Sequence, residues 1–283
     1  MGTVSHIYTL GMHMAGCRYD VRINDVPIFR DVDVGHPLGA TMGINEYLVP
    51  GPNRLTASLR PRRGLEELER PAESFTLSLL GRAAGEPKTA NQLLARIDLG
   101  PQRDPGQLAS LVGDGLGLMT VNPALGVAGD GRQALDVAFD FAPTGPCHSW
   151  AWQTSEPIEN SPRTRDSLRA LFADWTARLA RRDAAWLLPA IGERNRELSQ
   201  ALFEPLAALD DHGLFDAVAD PTLTLYDPEI EHTELMVFAQ GRLAQLVRWD
   251  GSAVIVFLEA DGFNARHYPL TFRQGPSGWI VCR

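Results

Sequence analysis

The polar segment whose spacing best suits chemistry is a run of acidic side chains from Asp227 to Glu234. If the segment is extended, Asp227, Glu229 and Glu231 share one face, because side chains alternate along a strand. Carboxylates on one face would bind a hard cation or a basic partner protein. A solvated loop is the competing interpretation, because Pro228 prevents regular strand pairing. The candidate partner-binding residues are Asp227, Glu229, Glu231 and Glu234.

Two tryptophans near the middle of the chain form a second candidate site. If the segment from His148 to Gln153 is a strand, Trp150 and Trp152 lie on one of its faces. A pair of exposed indole rings can stack on sugar rings, so these two residues would form a carbohydrate-binding platform. Core packing is the competing interpretation, because the segment directly precedes a polar, proline-containing linker. The later tryptophans are also expected in the core: Trp175, Trp186, Trp249 and Trp279.

Motifs of other chemistries are incomplete in this sequence. The glycine-rich stretch at Gly113, Asp114 and Gly115 lacks the Lys-Ser or Lys-Thr pair of a phosphate-binding loop. The sequence has no serine-hydrolase elbow, no zinc-protease helix motif and no cysteine pair at metal-ligand spacing. Cys147 and His148 are adjacent, so a strand would send their side chains to opposite faces. We therefore predict neither a cofactor nor a metal ion.

Composition limits the class of partner and the compartment. The 283 residues carry a formal net charge of −9, so nucleic acid would be repelled. All but one of the 26 basic residues are arginines, which is typical of a GC-rich bacterial genome. Three widely spaced cysteines favour a reducing compartment. With no signal-peptide pattern and no apolar run of about 18 residues, we expect a cytoplasmic protein that does not contact membranes.

The hydrophobic pattern divides the chain into two domains. Residues 1–156 read as short strands and turns, including a hairpin at Asn24 and Asp25, which predicts an all-β sandwich. Residues 157–163 form the linker. From Leu168 to Leu179, apolar residues recur at spacings of three and four and predict a long helix that starts at Ser161 and Pro162 and has Arg181 and Arg182 at its C-terminal end. A short helical turn from Ala184 to Leu188 is predicted to follow. The period then changes to two, so residues 164–283 are predicted as an α+β domain with helices packed on an antiparallel meander. The meander includes one strand from Arg266 to Arg273 and a final hairpin that turns between Gly275 and Gly278.

Two resemblances accompany these patterns. The segments VRINDVPIF and INEYLVPGPNRLTASL resemble the jelly-roll sandwiches of the galactose-binding-like class. That resemblance implies a corner in which Tyr47 and Leu48 close the sandwich end, Gly51 permits a turn and Asn53 hydrogen-bonds the turn backbone. The order of elements after Thr164, with DAAWL in the second helix and GWIV in the last strand, resembles the NTF2-like, cystatin-type cone.

The NTF2-like resemblance implies a pocket inside the cone. An inward-facing acid and base would support an isomerase or dehydratase reaction on a small substrate. Surface or structural roles are the competing interpretation for each candidate. The candidate pocket residues are His232, Glu259, His267 and Tyr268.

Three functions follow as hypotheses. The first is a non-enzymatic bacterial protein that binds another protein, as an immunity protein that neutralises a toxin or as an adaptor. The second is a small-molecule enzyme with its site in the C-terminal cone, and the third is a carbohydrate-binding module. Cone-type folds often form homodimers through the outer face of the sheet, and a homodimer is one oligomeric state that the sequence allows here, a monomer being another.

Overall fold

A computed structural model describes residues 5–31, 38–66, 74–98, 109–111, 116–127, 133–143, 145–206, 213–262 and 264–283. The protein is mostly β, with several antiparallel sheets and few helices. It divides into two compact units. The first comprises Met1–Ser149 with Ala201–Phe203, and the second comprises Trp150–Gln200 with Glu204–Arg283. Residues 150–156, which we assigned to the N-terminal domain, therefore lie in the second unit.

The first unit is built from antiparallel strands. They are β1 (His6–Ala15), β2 (Cys17–Ile23), β3 (Val26–Asp31), β4 (Leu38–Gly43), β5 (Asn53–Pro61), β6 (Ser74–Ala83), β7 (Gln92–Asp98), β8 (Ala109–Leu111), β9 (Leu116–Val127) and β10 (Gln133–Pro143). One sheet has the order β4-β1-β6-β7-β8 and the other β3-β2-β5-β10-β9. Side chains of both sheets belong to one hydrophobic core.

The hairpin between β2 and β3 shows why this region forms strands. Tyr19 and Val21 are buried, whereas the side chains between them are partly exposed, so one face of β2 points to the core. At the turn, Asn24 and Asp25 have φ angles of 53° and 67°. Two successive positive φ angles are typical of the tight turn that matches strand twist. The predicted hairpin is confirmed.

The corner before β5 is held by Asn53, which is 1% exposed. Its side-chain Nδ2 donates to the backbone carbonyls of Val49 and Gly51, both at 2.9 Å. Gly51 has φ of 86°, a conformation that glycine adopts without strain. Leu48 is fully buried beside this turn. The predicted bonding of the turn backbone by Asn53 is confirmed.

The remaining elements are four described helices and seven described strands. The helices are α1 (Pro162–Ala180), α2 (Leu187–Ala190), α3 (Gly192–Leu202) and α4 (Leu214–Ala219). The strands are β11 (Thr224–Leu225), β12 (Glu234–Phe238), β13 (Leu243–Val247), β14 (Ile255–Leu258), β15 (Ala265–Tyr268), β16 (Phe272–Gly275) and β17 (Gly278–Val281). No helix in the described part of the chain has the length and apolarity needed to cross a membrane.

Helix α1 begins and ends where the sequence predicts, with Arg181 as its C-terminal cap. The Ser161 hydroxyl accepts a hydrogen bond from the Thr164 amide at 3.3 Å, and Pro162 is the first helical residue. The helix ends at Ala180 because Arg182 adopts a left-handed φ of 59°. The buried face of α1 consists of Leu168, Phe172, Trp175, Thr176 and Leu179.

The predicted meander of successive strands was wrong. The strands form two sheets, ordered β11-β14-β15 and β12-β13-β16-β17, so β13 and β14 are not neighbours. The single strand predicted from Arg266 to Arg273 is two strands, because Pro269 lies between them and has no amide hydrogen for pairing. The final hairpin is confirmed, with Gly275 opposite Gly278.

Candidate functional site

Residues 226–234, which we call the acidic loop, adopt the loop conformation of the competing interpretation and are not extended. Glu229 has φ of 45° and ψ of 46°, and a single turn of 3₁₀ helix, Ile230–His232, follows it. The Asp227 carboxylate accepts a hydrogen bond from the Glu229 amide at 3.1 Å, which closes a local turn. Asp227, Glu229 and Glu231 therefore do not share a strand face, and the interpretation of this segment as a loop is confirmed.

Arg248 holds the start of the acidic loop. Its Nη2 donates to the Asp227 carbonyl at 2.6 Å, and its Nε donates to the Ala253 carbonyl at 3.2 Å. The guanidinium carbon lies 4.6 Å from the centroid of the Tyr226 ring, within cation–π range. Arg248 is only 8% exposed. These contacts fix the backbone and the first aromatic side chain of the loop.

Arg169 of α1 holds the end of the acidic loop. Its Nη2 donates to the Thr233 carbonyl at 2.5 Å, and its Nε donates to the Thr233 hydroxyl at 3.3 Å. The same hydroxyl donates to the Ile230 carbonyl at 2.7 Å. Thr233 is buried. The acidic loop is thus fastened at both ends by arginines from outside it, which gives its exposed side chains a defined arrangement.

The carboxylates of the loop face solvent. Asp227, Glu229, Glu231 and Glu234 are all exposed, and His232 is exposed among them. None of these four carboxylates forms an ion pair with another described residue, whereas other acidic residues of the same unit, such as Asp174, do. Their negative charge is therefore available to a partner.

Two exposed aromatic residues lie next to Arg248: Tyr226, the first residue of the acidic loop, and Trp249. Tyr226 is 42% exposed and Trp249 is 65% exposed. Trp249 follows Arg248 directly, on a turn in which the Gly251 amide donates to the Arg248 carbonyl at 2.9 Å. We expected Trp249 in the core, and that prediction was wrong. The signal that it overlooked is the Asp250-Gly251 turn, which places the preceding residue at a surface hairpin.

The four predicted pocket residues, His232, Glu259, His267 and Tyr268, have separate environments. Glu259 forms an ion pair with Arg266 at 3.5 Å, and both side chains are exposed. His267 is exposed on β15, and Tyr268 is buried with its hydroxyl donating to a backbone carbonyl. They form no inward-facing acid–base pair, so the predicted site is not assembled from these residues.

Core packing of Trp150 and Trp152, the competing interpretation, is confirmed, and the sugar platform is contradicted. The segment is not a strand, because Ala151–Thr154 forms a turn of 3₁₀ helix. Trp150 and Trp152 are 2% and 6% exposed. The Arg283 guanidinium carbon lies 4.3 Å from the Trp150 ring centroid and 5.9 Å from that of Trp152. Burial and this stacked guanidinium leave no open ring face for a sugar.

Cysteine and metal chemistry find little support in the described part of the chain. Burial raises the pKa of the Cys147 thiol to about 11 and that of Cys282 to about 12. Both thiols are therefore protonated and poorly nucleophilic at neutral pH. Among the described residues, no three His, Cys, Asp or Glu side chains are grouped to hold a metal ion. The glycine-rich stretch at Gly113, Asp114 and Gly115 lies outside the described residues.

Comparison with known proteins supplies no function by similarity. No protein family, curated protein or solved structure matches this chain. The function must therefore be argued from the chain's own geometry and charge.

Proposed function

We propose that this protein binds another protein, one with a basic surface, through the acidic loop and Trp249. The observation that carries the proposal is the combination of exposed carboxylates, which form no ion pair with a described residue, and anchors at both ends of the loop. Arg248 fixes Asp227, and Arg169 fixes Thr233. A loop that is ordered before binding avoids much of the entropy cost of becoming ordered on binding.

The aromatic residues beside the loop supply a second kind of contact. Tryptophan and tyrosine are enriched among the residues that contribute most to binding at protein interfaces. Trp249 and Tyr226 are more exposed than Phe203, the other large exposed aromatic side chain of the described residues. The carboxylates would speed association and select a basic partner, and the rings would bury apolar area. Charge and apolar contact thus come from one surface.

This surface suits a non-enzymatic role in a bacterium, as an immunity protein that neutralises a toxin or as an adaptor. Neutralisation requires only a complementary surface, and an acidic one suits a target with a cationic active site. The formal net charge of −9 adds long-range attraction to such a target. A cytoplasmic location would fit this role.

The proposal also covers the two folds. The first unit is proposed as a galactose-binding-like sandwich, supported by its two antiparallel sheets with a shared core and by the Asn53 corner. The second unit is proposed as NTF2-like, supported by the packing of α1 against antiparallel strands in one core. The division of its strands into two sheets departs from the meander that the resemblance implies.

Charge reversal at the tip of the loop is the test. The double variant Glu229→Arg/Glu231→Arg should weaken binding of a partner isolated from the source organism at least about tenfold. Wild type and variant are used as baits in parallel, and the dissociation constant of any purified partner is then measured by calorimetry. Wild-type affinity should also fall as salt is raised, because exposed charges are screened.

The matched control is Glu156→Arg/Glu159→Arg, which changes net charge equally. Both residues are exposed in the same unit and lie outside the acidic loop. This control should keep wild-type affinity. Equal losses in the two double variants would show that only net charge matters, and an unchanged dissociation constant in Glu229→Arg/Glu231→Arg would refute the proposed surface.

A further inference from the structure

The turn that follows β13 carries Trp249 and Asp250 side by side. The Arg248 amide donates to the Ser252 carbonyl at 3.0 Å, and the Gly251 amide donates to the Arg248 carbonyl at 2.9 Å, so the backbone of the turn is closed. The Asp250 carboxylate accepts a hydrogen bond from the Ser252 amide at 2.9 Å. Trp249 is 65% exposed, so most of its side chain is open to solvent. An exposed ring and a carboxylate are therefore neighbours on one hydrogen-bonded turn.

Arg248 links this turn to the acidic loop. It precedes Trp249 directly, its guanidinium donates to the Asp227 carbonyl, and the same guanidinium lies over the Tyr226 ring. The surface next to Trp249 therefore includes the start of the acidic loop with its exposed carboxylates. A cationic side chain that stacks on Trp249 would meet carboxylates as well as a ring.

Arginines of the second unit already combine an aromatic ring with an oxygen acceptor. The Arg178 Nε donates at 2.9 Å to the carboxylate of the aspartate one helical turn earlier, and its guanidinium carbon lies 5.4 Å from the centroid of the Trp186 ring. Arg248 combines the Tyr226 ring, at 4.6 Å, with a backbone carbonyl of the acidic loop. Trp249 and the carboxylates near it offer the same two kinds of contact to a group outside the chain.

A guanidinium fits this pair of contacts better than an ammonium does. It is planar and weakly hydrated, so it can lie flat on an aromatic ring while the N–H groups in its plane bond carboxylates. Two parallel N–H groups can also bond both oxygens of one carboxylate. The ammonium of lysine is a compact, strongly hydrated charge, which gains less from a ring. Carboxylates alone would attract either cation, so the ring is the group that distinguishes them.

We infer that the partner protein presents arginine side chains to this surface and that one of them stacks on Trp249. This inference rests on the proposed function and names the chemistry of its partner. Cation–π contacts at exposed sites are weak, so arginine in place of lysine should strengthen binding about threefold. The ring thus supplies selectivity, and the carboxylates of the acidic loop supply most of the electrostatic attraction.

The test compares two synthetic peptides of equal length and net charge, one built from Gly-Ser-Arg repeats and the other from Gly-Ser-Lys repeats. Their dissociation constants for the full chain are measured by calorimetry at low ionic strength, where screening is small. The arginine peptide should bind about threefold more tightly than the lysine peptide. Both peptides should bind more weakly to Glu229→Arg/Glu231→Arg, because both are attracted by the charge that this variant reverses.

Substitutions at Trp249 separate the ring from the charge. Trp249→Leu keeps an apolar side chain without a ring and should bring the affinities of the two peptides to within about 1.5-fold of each other. Trp249→Tyr should keep part of the arginine preference, because tyrosine also offers a ring. Leu188→Ala, at a position of α2 that is 53% exposed, is the control and should keep the wild-type preference.

The possible failures of the inference and of the proposed function give different results. Equal affinity of the two peptides for wild type, with both weakened by Glu229→Arg/Glu231→Arg, would overturn the inference and leave the proposed function in place. A full arginine preference in Trp249→Leu would do the same. Absence of binding by both peptides, or equal binding by wild type and Glu229→Arg/Glu231→Arg, would overturn the inference and the proposed surface together.

Discussion

Replacing Asn53 with aspartate should destabilise the first unit by about 3 kcal/mol, although the side chain keeps its size. Asn53 uses its full hydrogen-bonding capacity while buried: its amide nitrogen donates to Val49 and Gly51, and its oxygen accepts from the Val49 amide at 2.8 Å and from Asn24 at 2.7 Å. Aspartate would keep the acceptors and lose both donors. It would also place a buried negative charge against two carbonyl oxygens.

The two units can be followed separately in this experiment. All six tryptophans lie at or after residue 150, so tryptophan fluorescence reports the second unit. Hydrogen exchange of peptides from β5 reports the first unit, and urea titration gives its free energy of unfolding. The expected result is a large loss in the first unit with an unchanged tryptophan transition.

Acidity and a matched substitution sharpen the test. A buried aspartate has a raised pKa, so its destabilising effect should diminish as the pH falls from that raised pKa to about 4, and should stay constant below about pH 4, where the carboxyl is protonated in both states. Gln92→Glu, an amide-to-acid change at an exposed position of β7, should alter stability by less than about 0.5 kcal/mol. A comparably small loss in Asn53→Asp would contradict the role of the Asn53 donors.

The features that could be predicted from sequence depend on residues close together in the chain. The turn at Asn24 and Asp25 needs two residues that tolerate positive φ, and the start of α1 needs a hydroxyl at Ser161 before Pro162. The Asn53 corner closes within four residues. Each of these follows from local hydrogen bonding and backbone sterics, which a short segment contains in full.

The features that could not be predicted depend on distant partners. A period of two indicates a strand but not its neighbour, so the separation of β13 and β14 into different sheets left no local signal. The same pattern placed Trp150 and Trp152 on a strand face, whereas they are buried against Arg283. Trp150 and Arg283 are 133 positions apart in the sequence. Nothing in the segment around Trp150 predicts a contact with the Arg283 guanidinium.

The candidate site shows the same division. The acidic residues were identified from sequence because carboxylates cluster within one short segment. Their anchors were not, because Arg248 and Arg169 bond residues 21 and 64 positions away. The left-handed conformation of Glu229 was also missed, since glutamate is not a residue that favours it. The sequence thus indicated where the carboxylates lie, and tertiary contacts determine the conformation of the loop that carries them.

Replacing Arg248 with methionine should destabilise the second unit by about 3 kcal/mol. The Asp227 and Ala253 carbonyls would lose their charged donor, and the Tyr226 ring would lose the guanidinium stacked on it. Methionine retains much of the apolar stem, so the loss reports hydrogen bonds more than packing. Calorimetric unfolding measures the change, with Arg163→Met, at an exposed position of α1, as the control that should stay near wild type.

Binding by Arg248→Met separates a positioning role from a simple effect of charge. Removing a cation makes the protein more negative, so long-range electrostatics alone would strengthen its binding to a basic partner. If the proposed function is correct, Arg248 is a positioning residue, and its loss frees the acidic loop. Binding should therefore weaken severalfold, measured at a temperature where the variant is folded. Arg163→Met removes the same charge without freeing the loop and should bind as tightly as wild type or more tightly. If Arg248→Met also bound more tightly, the ordered loop would contribute nothing to recognition.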